Sequence, residues 1–188
     1  MPKNANVDSD EELAVRAGQG SNPQSRAAFE ALLERYYDRI YQWAWRWCGS
    51  RANAEDIAQD VCVKLAGAIG AFRGDAALKT WIYRIAYTTT LDHMRQNQRM
   101  VSVEPSEIIS LFDVRAAQAP PDEAVDGAEL WTAVRGLPGQ QRDAVLLVYA
   151  EDMSHAEAAD VMGCSEKTVS WHIHEAKKKL KAQLEAVG

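Results

Sequence analysis

Between Phe72 and Arg95 the chain reads Phe-Arg-Gly-Asp-Ala-Ala-Leu-Lys-Thr-Trp-Ile-Tyr-Arg-Ile-Ala-Tyr-Thr-Thr-Thr-Leu-Asp-His-Met-Arg, a run that interleaves aromatic rings with cations. Such rings can stack on unpaired bases while the cations follow a phosphate backbone. Trp81 lies beside the Leu78, Ile82 and Ile85 stripe and is expected in the core. Tyr83 and Tyr87, four apart and adjoined by Arg84 and Thr88, are expected on a more polar face. A second stretch, residues 154–176, carries a Ser cap (Ser154), small inward residues (Ala158, Ala159) before Val161 and Met162, then Gly163, a second cap (Ser165), and Val169 and Ile173 four apart. Small residues let helices cross closely, and a glycine permits the sharp turn between them, so the order reads as a helix-turn-helix. Ser165 caps the second helix, with Thr168 at its third position. Lys167, Thr168, Ser170, Trp171, His172 and His174 are left for outward or flanking positions, and the N-terminal half of such a helix is what enters a major groove. Lys177, Lys178, Lys179 and Lys181 follow, suited to phosphates. A plain helical hairpin with a solvated lysine face is the competing reading, and the combination of caps, small pair, glycine and apolar knobs favours DNA.

Bond-making chemistry has no comparable support. No nucleophile stands with a recognisable base. There is no C-x-x-C pair and no H-E-x-x-H helix, and Cys164 with His172 and His174 lacks both ligand spacing and a fourth partner, so no metal and no cofactor are expected. The three cysteines, Cys48, Cys62 and Cys164, are odd in number and widely spaced, which argues against a disulfide framework and for a reducing cytoplasm. Nothing in the sequence marks Cys48 or Cys164 as a redox sensor.

The elements that must position these residues are helical. Phe29, Leu32, Leu33, Tyr36, Ile40, Trp43, Ala44 and Trp47 recur at helical spacing and form one apolar stripe, which Gly49-Ser50 ends. A second helix is expected from Asn53, with Glu55 and Asp56 in its first turn and Ile57, Val61, Leu65 and Ala68 inward. After the break at Gly70–Asp75, a third runs from about Ala77 to Arg99, with Leu78, Ile82, Ile85 and Thr89 inside. From 100 to 127 periodicity fades, Pro105, Pro120 and Pro121 exclude a continuous helix, and acids prevail, so this reads as an extended linker. Leu130, Trp131, Val134 and Leu137, then Val145, Leu146, Leu147 and Tyr149 after Pro138-Gly139, supply a second helical core. No period-2 segment occurs. The expected fold is all-α: two small helical domains (26–99 and 128–188) joined by a linker (100–127), preceded by an acidic lead-in (1–25), the C-terminal domain a four-helix unit with the helix-turn-helix.

Composition bounds the function. The chain has 188 residues, 47% hydrophobic, with 21 Lys+Arg against 27 Asp+Glu and a formal charge of −6. It is globular, and no 18-residue apolar run spans a membrane. The polar, acidic start, Met1–Glu12, does not read as a secretory signal. The negative total conceals two cationic stretches: residues 73–99 and residues 165–181 each hold five basic and two acidic side chains. Both coincide with the candidate DNA-reading helices, and such modest patches suit a protein that reads DNA only with a partner's help.

Three stretches resemble the extracytoplasmic-function (ECF) sigma factors of bacterial RNA polymerase, in the sigma-70 family: Ala54–Leu65, Phe72–Arg95, and Leu137-Pro-Gly-Gln-Gln-Arg142 onward to Leu180. With the 29–48 helix, the likeness covers about residues 26–99 and 128–184. It implies that Asp56, Gln59, Asp60 and Lys64 dock on core polymerase. It also implies that the loop Phe72, Arg73, Gly74 to Ala77 captures a base flipped from the −10 element. Lys79, Thr80, Tyr83, Arg84, Tyr87 and Thr88, with Arg95, would hold that element, and residues 165–178 would read the −35 duplex. Ser165, Lys167, Thr168, Ser170, Trp171, His172, His174 and Lys178 are the residues of that helix put forward. The acidic linker matches the family segment threaded toward the polymerase active site. The chain departs from the family pattern at Ser170, His172 and Glu175, where basic residues are more usual, and at Trp171 and His174. The resemblance further implies a bacterial, cytoplasmic, non-enzymatic transcription-initiation factor acting in a stress response. Its partners would be core RNA polymerase, promoter DNA and an anti-sigma factor, which could be membrane-bound. A sigma-like decoy that sequesters an anti-sigma factor without initiating transcription is the alternative, and the retained arginines and lysines weigh against it. A response-regulator type of transcription factor is disfavoured because no β/α alternation precedes the C-terminal unit.

Overall fold

A computed structural model describes residues 8–100 and 126–187, with side chains placed for 8–96 and 130–183. The linker expected over 100–127 therefore lies almost wholly outside the described residues. Every regular element among those described is helical. No helix is long and apolar enough to cross a membrane, and no group of three or more His, Cys, Asp or Glu is arranged to hold a metal, both among the described residues.

The first lobe begins earlier than the sequence periodicity predicts. Helix α1, Asp10–Ala17, lies inside the expected lead-in and is fixed by a reciprocal cap: Ser9 Oγ accepts from the Glu12 amide while the Glu12 carboxylate accepts from the Ser9 amide. Its Leu13, Ala14 and Ala17 are buried, and Asp10 ties it to the next helix by accepting from Tyr36 Oη at 2.6 Å and from Arg35 at 2.6 Å. Helix α2, Pro23–Cys48, opens on an Asn22 cap with Pro23 in its first turn, where a missing N–H costs nothing. The stripe Leu32, Tyr36, Ile40, Trp43, Ala44 and Trp47 is buried as its spacing predicts. Gly49 ends α2 at φ 67°, where a side chain would be strained.

Helix α3, Arg51–Ala68, starts two residues before the expected Asn53, because Ser50 takes the cap and bonds the Asn53 amide. Ala54, Ile57, Ala58, Val61 and Leu65 face inward. A short 3₁₀ turn, Ile69–Ala71, leads to the loop before α4, Leu78–Met100. Three consecutive threonines, Thr88–Thr90, lie within the continuous helix α4, and Thr89 and Thr90 are buried. Their hydroxyls donate back to the carbonyls of Ile85 and Ala86, both at 2.7 Å, so no polar atom is stranded.

The second lobe comprises α5 (Asp126–Arg135), α6 (Gly139–Val145), a wide π turn (Leu146–Ala150), α7 (His155–Met162) and α8 (Glu166–Val187). Val134, Leu137, Ala144, Val145, Leu146 and Leu147 are buried. Three expected core positions are not: Leu130 is 44% exposed, Trp131 is half-buried, and Tyr149 lies 57% exposed, its ring beneath Lys177. The π turn is the reason for the exposure of Tyr149. It adds a residue to the turn, closing with the Glu151 amide on the Leu146 carbonyl, and so rotates Tyr149 outward and Glu151 inward.

Candidate nucleic-acid interface

The helix-turn-helix forms as its punctuation predicts. Ser154 and Glu157 cap α7 reciprocally, Gly163 turns the chain at φ 67°, and Ser165 Oγ accepts from the Thr168 amide at 3.1 Å. Val169, Ile173 and Ala176 anchor α8 against α6 and α7. Lys167, Ser170, Trp171, His174 and Lys178 are exposed along one face, Ser170 and Trp171 adjacent and the others three or four residues from their neighbours. Trp171 is 56% exposed, uncommon for so large a ring. Ser170 is steadied by His155 Nδ1 at 2.9 Å, and Lys178 pairs with Glu175 at 3.1 Å. Ser165 is exposed and Thr168 half-buried at the start of the helix. His172 departs from the expected outward position. It is buried, edge-on to Trp171 at 5.0 Å, because it follows Val169 by three residues and so falls on the inward face.

On α3, Asp56, Gln59 and Asp60 share one exposed face, and Val63, 72% exposed, continues it. Val63 is the residue sequence reasoning missed there. Its signal was an apolar side chain out of phase with Ile57, Val61 and Leu65. Lys64 sits at the border of that face and reaches Asp92 of α4 at 3.5 Å.

The loop before α4 leaves Arg73 and Gly74 exposed, with Gly74 at φ 77°. Phe72 is half-buried against Trp81 (ring centroids 5.4 Å apart), so Trp81 serves as a platform for the loop rather than as deep core. Arg95 is exposed and pairs with Asp92 at 3.6 Å, while Thr88 bonds back to the carbonyls of Arg84 and Ile85.

The remaining residues expected to hold the −10 element meet the second lobe. Tyr83 Oη donates to Glu151 Oε2, and Lys79 Nζ donates to the Glu151 carbonyl. Thr80 Oγ1 approaches Glu157 at 3.4 Å. Arg84 pairs with the Asp160 carboxylate and donates to its carbonyl at 2.9 Å. Tyr87 Oη donates to Asp143 Oδ2 at 3.0 Å. Tyr83 and Tyr87, expected on a more polar face, are instead core residues, 1% and 7% exposed: Tyr83 packs edge-on against Trp43 of α2, ring centroids 5.6 Å apart, and the hydroxyls of both are capped by second-lobe carboxylates.

The seam is completed by α2. Trp47 Nε1 donates to Asp143 Oδ1 at 2.6 Å, Arg46 reaches Glu151 at 3.4 Å, and Arg142, Arg135 and Arg46 lie over the rings of Trp47, Trp45 and Trp131. Burial pushes the Asp143 and Glu151 carboxyls above the usual range, against the lowering effect of their donors. Burial likewise raises Tyr83 and Tyr87, helped by the facing carboxylates, so both phenols remain protonated donors.

Comparison with known proteins gives this arrangement a family. Sigma-70 region 2 matches residues 32–100, and Sigma-70 region 4 matches residues 127–180. The chain is 29% identical over 166 residues to the ECF RNA polymerase sigma factor SigW of Bacillus subtilis (strain 168), covering 84% of this chain and 89% of that protein. It is 28% identical over 185 residues to the RNA polymerase sigma-H factor of Pseudomonas aeruginosa, covering 94% of each. Among solved structures, CnrH in complex with the cytosolic domain of CnrY aligns with a TM-score of 0.71 at 25% identity, over 96% of this chain and 100% of that one. The sigma factor RpoE, in complex with the anti-sigma factor NepR from Bartonella quintana, shares the fold with a TM-score of 0.70 at 23% identity, over 84% of this chain and 96% of that one.

Proposed function

The chain belongs to the sigma-70 family of RNA polymerase sigma factors, in its extracytoplasmic-function branch, and from that membership we propose how its two lobes divide the work. As such a factor it binds core RNA polymerase and directs initiation at specific promoters. The α3 face of Asp56, Gln59, Asp60 and Val63, bordered by Lys64, docks on polymerase. The Phe72–Gly74 loop captures an unstacked base, with Lys79, Thr80, Tyr83, Arg84, Tyr87, Thr88 and Arg95 of α4 holding the melted −10 strand. Lys167, Ser170, Trp171, His174 and Lys178 face the −35 duplex, while Ser165 and Thr168 set the start of the reading helix and His172 supports Trp171 from within. The observation that carries this reading is the order of the two matched regions along one chain, together with the single exposed stripe on the capped helix α8.

Sigma factors are not in general enzymes, and we infer that this chain performs no chemistry of its own: it lowers the cost of melting by binding the melted state. An anti-sigma factor is its expected regulator, and the cytoplasm, where polymerase works, its expected place. Purified protein with core polymerase should yield transcripts from a pool of promoter-bearing fragments. A decoy would bind an anti-sigma factor and yield none. Replacing Tyr83, Arg84 and Tyr87 together by alanine should leave core binding intact and abolish open-complex formation, and normal transcription by that variant would defeat the assignment of α4.

A further inference from the structure

Ser170 stands on the exposed stripe of α8 assigned above to the −35 duplex, in the half of the helix that comes nearest the bases. Its Oγ lies 2.9 Å from Nδ1 of His155, the first residue of α7. The contact joins the two helices of the helix-turn-helix, and both sides of it are fixed. Ser154 and Glu157 cap each other reciprocally and set the first turn of α7. Val169, next to Ser170 and wholly buried, sets the phase of α8, and the buried Ala158 and Ala159 let the two helices lie close. His155 is half-buried, so its ring is held at the edge of the reading face rather than free in solvent.

A free serine hydroxyl carries one proton and two lone pairs, and it turns to suit whichever base edge it meets. A hydroxyl bonded to imidazole has no such freedom. A neutral ring that accepts at Nδ1 carries its own proton on Nε2 and takes up the single hydroxyl proton, which leaves only lone pairs for DNA. We propose that His155 is a positioning residue for −35 readout. By accepting the Ser170 proton at Nδ1 it makes Ser170 an acceptor-only reader. Ser170 then selects a base edge that donates, the N4 amino group of cytosine or the N6 amino group of adenine, over guanine and thymine on the strand it faces. The proposal rests on the assignment of α8 to the −35 duplex and deepens it by naming what one position of that duplex must offer. It also gives the departure from the family pattern at Ser170 a chemical meaning. The basic residue more usual there can only donate, so the polarity of the contact is reversed.

The test is transcription by the whole chain with core polymerase from a promoter library randomised across its −35 and −10 elements, the transcribed members being sequenced. Wild type, His155→Ala, Ser170→Ala and the double variant are compared. In wild type one −35 position should favour cytosine or adenine over guanine and thymine by at least about fivefold. His155→Ala frees the hydroxyl, so the preference at that position alone should shrink to about twofold or less, with guanine and thymine now admitted. Ser170→Ala should erase the preference, and adding His155→Ala to it should change nothing further, because His155 acts only through the hydroxyl. An even loss of transcripts across all sequences in His155→Ala, or a further loss in the double variant, assigns His155 to the fold or to a phosphate and overturns the proposal. So does a wild-type preference for guanine or thymine at the position that Ser170→Ala alters, or a Ser170→Ala variant with unchanged base choice. Should His155→Ala lose its helical signal in circular dichroism, Ser170→Ala decides alone. It is an exposed helical site where alanine favours the helix, and the cytosine-or-adenine preference must vanish with the hydroxyl. Failure of the functional reading is distinguishable: no chain would then give transcripts from any member of the library, which ends the proposal with it, whereas abundant transcripts with unaltered base choice overturn the proposal alone.

Discussion

Replacing Asp143 asks how much of the junction between the lobes depends on one carboxylate. Asp143 is 2% exposed and accepts from Trp47 Nε1 at 2.6 Å and Tyr87 Oη at 3.0 Å, with Arg142 Nε at 3.6 Å. In Asp143→Ala both donors lose their acceptor in a buried place, at about 1–3 kcal/mol each. The buried charge also vanishes, which returns part of that loss. A net loss of about 2–3 kcal/mol follows, a large share of the ~5–15 kcal/mol of a typical domain but not enough to unfold it. Asp143→Asn keeps an oxygen for Trp47 and turns an amide toward the Tyr87 oxygen, so its loss should stay near ~1 kcal/mol. The two variants should also differ from wild type in pH dependence. Burial raises the Asp143 carboxyl in the folded state, so folding takes up a proton between the ordinary carboxylate range and the raised value. The cost of burying the charged form is therefore present above the raised value and is lifted as pH falls through it. Wild type should gain on Asp143→Asn as pH is lowered. Urea midpoints followed by far-ultraviolet circular dichroism at neutral and mildly acidic pH measure both effects. If Asp143→Asn falls as far as Asp143→Ala, the ion pair with Arg142 rather than the paired acceptors holds the junction. If neither moves the midpoint, the reasoning fails.

Three further outcomes are expected. Gly163→Ala places a Cβ in open space at φ 67°, so only backbone strain acts, and thermal unfolding should show a loss of about 1–2 kcal/mol; Gly49→Ala should lose more, since its Cβ would lie 2.9 Å from Arg135. Val63→Asp should weaken core polymerase binding at least several-fold in a pull-down titration while leaving the unfolding midpoint unchanged, because Val63 is 72% exposed. Trp171→Ala or His174→Ala should change which −35 sequences are transcribed, by about 1–3 kcal/mol per lost base contact, more than it changes core affinity.

Much of the fold was legible because its signals are local. The apolar spacing of α2, the glycines at 49 and 163, and the serine caps at 154 and 165 each act within a turn or two of the chain, and each appears in the structure where the residues place it. Helix α1 was legible too, since Ser9 and Glu12 have the spacing of a reciprocal cap, but its short apolar face was lost in an acidic stretch. The seam is another matter. Asp143 stands three and four residues before Leu146 and Leu147, on an inward phase, which marks it as a buried carboxylate only to a reader who already knows that something covers it. Glu151 depends on a π turn that no residue in Leu146–Ala150 announces. Tyr83 and Tyr87 do fall on α4, yet the residues that bury them, Trp43, Glu151 and Asp143, lie forty or more positions away in the chain, a distance over which periodicity carries no information. His172 shows the same limit in miniature: its polar character suggested solvent, while its position three residues after Val169 set its direction.

The six tryptophans are distributed so that the molecule carries its own optical probes. Trp43 is fully enclosed and should emit at short wavelength with no response to aqueous quenchers, an internal standard. Trp47 sits between a carboxylate and a guanidinium, so its emission should change in intensity and colour whenever water reaches Asp143. Trp171, beside His172 and 56% exposed, is the most exposed of the six and should dominate the red edge and the iodide-quenchable fraction until duplex DNA shields it. Without any label, one emission spectrum can therefore follow the junction between the lobes and the DNA-reading helix as separate signals.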